Sequence, residues 1–105
     1  MRIVAVTACT IGVAHTYIAK DRLVEAAKER GDTISVETQG TIGSESVLTP
    51  EEIAKADVVI LAADVAVADA DRFKGKPIVH VGSSVAINQP KKLLDKVEQK
   101  LKGRK

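Results

Sequence analysis

At 105 residues and 11.1 kDa, with 45% hydrophobic and 29% charged residues, the chain has the make-up of one compact domain spanning 1–105 and excludes a disordered or fibrous class. No apolar run reaches the roughly 18 residues of a bilayer span and no signal peptide is evident, so a cytoplasmic protein without direct membrane insertion is expected. The formal charge of +2 is uneven: residues 91–105 hold seven Lys and Arg against two acids, and the remainder nine against twelve. That basic end reads as a solvated helix face, because one Tyr, one Phe and no Trp leave little to stack on nucleic-acid bases.

The first element is a β-branched strand, Arg2–Thr7, which runs into a turn at Ala8–Gly12. From Val13 to Arg30 the pattern is helical, with Val13, Tyr17, Val24 and Ala27 on one stripe, Leu23 beside it and Gly31 as the stop. Thr33–Thr38 alternates as a second strand. Gln39–Leu48, with two glycines and three hydroxyl residues, reads as a surface loop. Thr49-Pro50-Glu51-Glu52 has capping-box spacing with Pro in the first helical position, and predicts a short helix to Lys55. Asp57–Ala62 is a buried strand, Asp64–Lys74 a short helix or turn closed by Gly75, and Pro77–Val81 a fourth strand. A helical turn over Val85–Ile87 precedes a last helix capped by Asn88, with Leu93, Leu94, Val97 and Leu101 at helical spacing and Gly103 after its end.

Strands alternating with helices define an α/β protein: an open, Rossmann-like, four-stranded parallel sheet with helices on both faces. Ligands of such sheets bind beyond the carboxyl ends of the strands. That rule gathers Cys9, Gln39, Asp64 and the Ser83/Ser84 loop on one edge, with Gln39 and Asp64 as possible margins of the site.

Cys9 is the single cysteine, which excludes an internal disulfide, a CxxC pair and a cysteine zinc site. Neither a metal nor an organic cofactor is expected. The segment Thr10, Ile11, Gly12, Val13, Ala14, His15, Thr16 joins the first strand to the first helix, so its N–H groups can converge on an anion at the positive end of that helix. A thiol in such a place ionises below its usual value of about 8.5 and becomes a nucleophile toward phosphorus. The dinucleotide fingerprint and the triphosphatase P-loop are both absent. Low-molecular-weight tyrosine phosphatases place Cys-x5-Arg-Ser/Thr on a similar strand–loop–helix; here the spacing is Cys-x5-His-Thr. With His15 in place of arginine the bidentate grip on phosphate is lost, which favours holding a phosphoryl group over rapid hydrolysis. His15 either contacts the phosphate from the loop or starts the helix and hydrogen-bonds the loop. His80, inside the fourth strand, reads as structural, and Asp64 as a turn or capping residue.

Cys9, Gly12, Ala14, His15 and Thr16 match the loop Cys-Pro-Thr-Gly-Ile-Ala-His-Thr, and the chain resembles the fructose-type IIB domain of the bacterial phosphoenolpyruvate-dependent sugar phosphotransferase system. The resemblance continues through Val36-Glu37-Thr38-Gln39-Gly40, Ala56-Asp57-Val58-Val59-Ile60 and Gly75-Lys76-Pro77. It implies a phosphotransferase in which Cys9 carries a phosphoryl group as phosphocysteine. The donor would be a phosphohistidine on a IIA component and the acceptor fructose or a related sugar bound by a membrane IIC component. That would make the protein cytoplasmic and peripheral to the membrane. Residues 10–16 would form the phosphate loop, with Thr10 where Pro is usual, Ile11 where Thr is usual and Val13 a mild change. Two other readings of this loop are a phosphatase and a non-catalytic, anion-binding regulator.

Overall fold

The computed structural model describes residues 1–8, 13–40 and 43–102. Its elements are β1 (Arg2–Ala8), α1 (Val13–Arg30), β2 (Thr33–Gly40), β3 (Gly43–Glu45), α2 (Pro50–Lys55), β4 (Val58–Ala63), a 3₁₀ turn (Ala70–Phe73), β5 (Ile78–Val81), α3 (Ser83–Asn88) and α4 (Pro90–Lys102). The sheet order is β3-β2-β1-β4-β5. β1 runs parallel to β2, from Arg2 opposite Thr33 to Ala8 opposite Gln39, and parallel to β4, from Ile3 opposite Val58 to Ala8 opposite Ala63. β5 continues the parallel run beside β4. The four parallel strands expected from the sequence are therefore present.

Both faces of the central strands are covered, which is why β1 and β4 read as nearly continuous apolar runs. Ile3, Ala5, Val58, Ile60 and Ala62 point to one side, against Ala19, Leu23, Ala26 and Ala27 of α1, Ala86 of α3, and Leu93, Leu94 and Val97 of α4. Val4, Val6, Val59 and Leu61 point to the other, against Leu48, Ile53 and Ala56 around α2 and Phe73 of the 3₁₀ turn. The placement follows from right-handed crossovers. β1 to β2 moves one way across the sheet and puts α1 on the first face; the step back to β4 moves the other way and puts α2 on the second.

Local signals are realised closely. Thr49 caps α2 in a reciprocal box with Glu52. Gly31, at φ 78°, ends α1 with the Asp32 N–H reaching the Ala27 carbonyl at 2.8 Å and the Gly31 N–H reaching that of Lys28 at 3.1 Å, the paired bonds of a Schellman turn. Three expectations change. The segment Gln39–Leu48 is not wholly loop: β2 extends to Gly40, and Gly43–Glu45 pairs antiparallel with it, Thr38 opposite Glu45. Three residues on an edge strand leave too short a pattern to show alternation. The buried side of α1 is Thr16, Ala19, Leu23, Ala26 and Ala27, while Val24 is 37% exposed; small side chains let the helix lie close to the sheet, and the larger Val24 is turned outward. Asn88 is the last residue of α3, not the cap of α4, whose Leu93 N–H bonds the Gln89 carbonyl. Gly103 lies outside the described residues.

α4 lies toward the amino ends of the strands. Val97, Lys100 and Leu101 line a small cavity with Val58, Pro77 and Ile78, and Arg30 at the end of α1 pairs with Glu98 at 3.0 Å and with Asp95. Among the described residues no helix is long and apolar enough to cross a membrane. Leu94, fully buried between α4 and the sheet, is expected to cost about 2–5 kcal/mol as Leu94→Ala. Ile78→Ala on the half-exposed edge strand is expected to cost about 1 kcal/mol or less, the two being compared by urea unfolding.

Candidate functional site

β1, β2 and β4 end level with one another, Ala8 standing opposite both Gln39 and Ala63. Because the chain leaves β1 toward β2 and later returns to β4 on its other side, the strand order switches direction at β1, where the loops diverge and leave room for a ligand. The hydroxyl of buried Thr7 donates to the Thr16 carbonyl at 3.1 Å, tying the end of β1 to the first turn of α1.

Cys9, Thr10, Ile11 and Gly12 lie outside the described residues. Val13, Ala14, His15 and Thr16 form the first turn of α1, so the second half of the expected phosphate loop has helical backbone, and His15 is a helix-start residue. Thr16 is buried at 1% exposure. The positive end of the 18-residue α1 consequently lies at the edge where β1 ends.

Asp64 stands at this edge as a capping residue. Its N–H donates to the Ala8 carbonyl at 3.0 Å, and its carboxylate accepts from both the N–H and the hydroxyl of buried Ser83 in the first turn of α3. Gly82 permits the close approach, since a Cβ there would lie 3.3 Å from the Asp64 carboxylate. His80 is a half-exposed β5 residue whose Nε2 lies 3.3 Å from the Ala63 carbonyl, in keeping with a structural role. Among the described residues no group of three or more His, Cys, Asp or Glu could hold a metal.

Gln39 adjoins the same edge. Its Oε1 accepts from the Ala68 N–H at 2.9 Å, and its Nε2 donates to the Ala68 carbonyl at 3.2 Å and to Glu37 Oε2 at 2.7 Å. Glu37 is 1% exposed, and each of its oxygens takes two donors: Arg72 Nη1 (2.7 Å) and the Leu48 N–H (3.0 Å) on Oε1, Arg72 Nη2 (2.7 Å) and Gln39 on Oε2. Arg72 also covers the Phe73 ring, 4.8 Å from its centroid. Burial pushes the Glu37 carboxyl up, but the hydrogen bonds from Arg72, Gln39 and the Leu48 amide outweigh it and hold the group below its ordinary value. Sequence reasoning placed Gln39 and Asp64 at the margin and missed this pair. The usable signal was a glutamate between Val36 and Thr38, the buried stretch of β2, which must find a cation somewhere.

The sheet order and the position of α1 after β1 define a small doubly wound α/β protein. Over residues 4–96 the chain matches the family described as "PTS system, Lactose/Cellobiose specific IIB subunit". It is 48% identical over 100 residues to the "PTS system fructose-like EIIB component 2" of Escherichia coli (strain K12), covering 95% of this chain and 94% of that protein. It is 46% identical over 95 residues to the fructose-specific EIIABC component of Bacillus subtilis (strain 168), covering 90% of this chain but 15% of that protein. A crystallised domain of the fructose-specific iiabc component of Borrelia burgdorferi superposes with a TM-score of 0.85 at 51% identity, covering 90% of this chain and 89% of that one. The chain belongs to the IIB family of the phosphotransferase system. Its similar relatives carry fructose in their names, while the family description names lactose and cellobiose.

Because the Glu37 carboxyl is depressed in the folded state, its stabilising contribution is full above its ordinary value of 4.5 and is lost as pH falls through its folded value. Glu37→Gln is expected to cost about 3 kcal/mol near neutrality, since the partly buried Arg72 loses its counter-charge. The deficit should shrink in acid, and urea midpoints measured across the acid range check both.

Proposed function

We propose that this IIB protein is a phosphoryl carrier in which Cys9 accepts the phosphoryl group of a phosphohistidine on a IIA component and delivers it to fructose or a related sugar bound by a membrane IIC component. The observation that carries the reading is the end of β1 at Ala8, between two parallel neighbours, with α1 beginning at Val13. A cysteine motif between these bounds would meet helix N–H groups at the edge of the sheet, and this supports the reading. The EIIB'BC and EIIABC names of longer relatives support the partners, and the fructose names support the sugar class. On this reading the protein is cytoplasmic and reaches the membrane through IIC.

In the first transfer the Cys9 thiolate attacks phosphorus in line with the P–N bond. The S–P bond forms as P–N breaks, and the imidazole leaves with the bonding electron pair and takes up a proton. In the second, a sugar hydroxyl attacks the same phosphorus; O–P forms, S–P breaks and Cys9 returns to thiolate, while the hydroxyl proton passes to solvent or a base. The N–H groups over Thr10–Thr16 are the natural donors to the phosphoryl oxygens in both transfers, and no metal or cofactor is called for. His15 offers one imidazole in place of a guanidinium fork, which disfavours hydrolysis between the two steps. Asp64, in the position of a phosphatase acid, accepts two hydrogen bonds from Ser83, and this favours a carrier over a hydrolase.

Incubation with phosphoenolpyruvate, the general components and IIA is expected to add one phosphoryl group, located at Cys9 by mass spectrometry and absent from Cys9→Ser. An unlabelled Cys9 would sink the carrier reading. Turnover of p-nitrophenyl phosphate that disappears in Cys9→Ser would replace it with a phosphatase.

A further inference from the structure

The segment from Asp64 to Asp69 runs from the end of β4 to the 3₁₀ turn along the edge beyond Ala8, without regular secondary structure of its own. Its start is tied to β1 through Asp64 and Ala8. Further along it is held by Gln39, whose side-chain amide reads the Ala68 peptide in both directions. The orientation of that amide is not free. Nε2 also donates to Glu37, and a flipped amide would set its oxygen against a carboxylate. Glu37 is itself fixed by the two parallel bonds from Arg72, and Arg72 belongs to the 3₁₀ turn that ends the same segment, its Nε donating to the Asp69 carbonyl at 3.0 Å. Asp69 has φ 58°, a left-handed conformation unfavourable for a residue with a Cβ. The hydrogen bonds thus form a closed circuit: Arg72 to Glu37, Glu37 to Gln39, Gln39 to Ala68, and back through Asp69 to Arg72.

A buried ion pair is a poor way to gain stability, since apolar residues of similar volume commonly do as well. What it does supply is direction: a bidentate pair has one geometry, and here that geometry orients Gln39. We propose that Glu37 and Arg72 are positioning residues for the transfer chemistry, fixing Gln39 so that the Asp64–Ala68 segment stands in one place beside the end of β1 at Ala8, the residue before Cys9. The inference rests on the carrier reading of Cys9. It adds two residues that touch neither phosphate nor sugar.

Two measurements test it, in the whole chain. The first is single-turnover phosphoryl transfer from phosphorylated IIA at varied IIA concentration. The second is alkylation of Cys9 by iodoacetamide over a range of pH, which needs no phosphoryl transfer. Gln39→Ala and Arg72→Met are expected to lower the saturating transfer rate about tenfold, with the half-saturating IIA concentration within about twofold of the parent. Both should displace the pH profile or rate of Cys9 alkylation. Arg72→Lys, which keeps the charge and loses the fork, should fall between. Leu94→Ala, far from the edge, serves as the control for lost stability and should leave both readouts of the folded protein unchanged.

The proposal is overturned if Gln39→Ala folds yet transfers and alkylates as the parent does, or if Leu94→Ala moves both readouts equally. Should Arg72→Met fail to fold, Gln39→Ala and Arg72→Lys still decide. Should Cys9 take no phosphoryl group in the parent protein, the carrier reading fails separately. Unchanged alkylation in Gln39→Ala would then overturn the positioning role as well.

Discussion

β1 has a hydrogen-bonded neighbour on each side and a hydrophobic layer on each face, and β2, β4, α1 and α2 are placed by the need to complete those four surfaces. A parallel pair cannot be closed by a tight turn, so each neighbour of β1 requires a crossover segment. The fixed hand of those crossovers sends α1 to one face and α2 to the other. The same rule brings the ends of β1, β2 and β4 level at one edge. That edge is thus a by-product of burying the first strand.

The polar side chains that frame this edge among the described residues are themselves engaged. Asp64 is committed to Ser83, Gln39 to Ala68 and Glu37, and Glu37 to Arg72. Phosphoryl transfer asks little covalent chemistry of a protein and much positioning. A margin built from saturated hydrogen bonds is suited to that demand, because each acceptor already used inside the wall is one less acceptor turned toward a dianionic group.

Features set by nearby residues were legible in the sequence. The Thr49 to Glu52 box, the Gly31 stop and the apolar β4 run each depend on contacts within a few positions, and each appears at or within a residue or two of its expected bounds. The edge rule for parallel sheets was enough to bring Gln39, Asp64 and Ser83 to one side, while Cys9 lies outside the described residues. Features set at long range were not legible. Glu37 and Arg72 are 35 positions apart, and nothing local to either says which cation the glutamate will find. The buried side of α1 was misjudged because hydrophobicity favours Val24, whereas the closeness of helix and sheet favours Ala19, Ala26 and Ala27. β3 owes its existence to the exposed edge of β2 and not to any pattern of its own.

The position of α4 gives the molecule an electrical axis. Lys91, Lys92, Lys96 and Lys100 outnumber Asp95 and Glu98 along a helix placed at the amino ends of the strands, while Asp64 and Asp69 lie at the carboxyl edge. An anionic surface approached in solution would attract the α4 end and turn the Cys9 edge away; a cationic one would meet that edge first. The torque acts over about one Debye length, some 8 Å at physiological ionic strength. Before any contact is made, the distribution of lysines therefore selects which orientations of an encounter bring the carboxyl edge forward, and does so with residues at the opposite end of the strands.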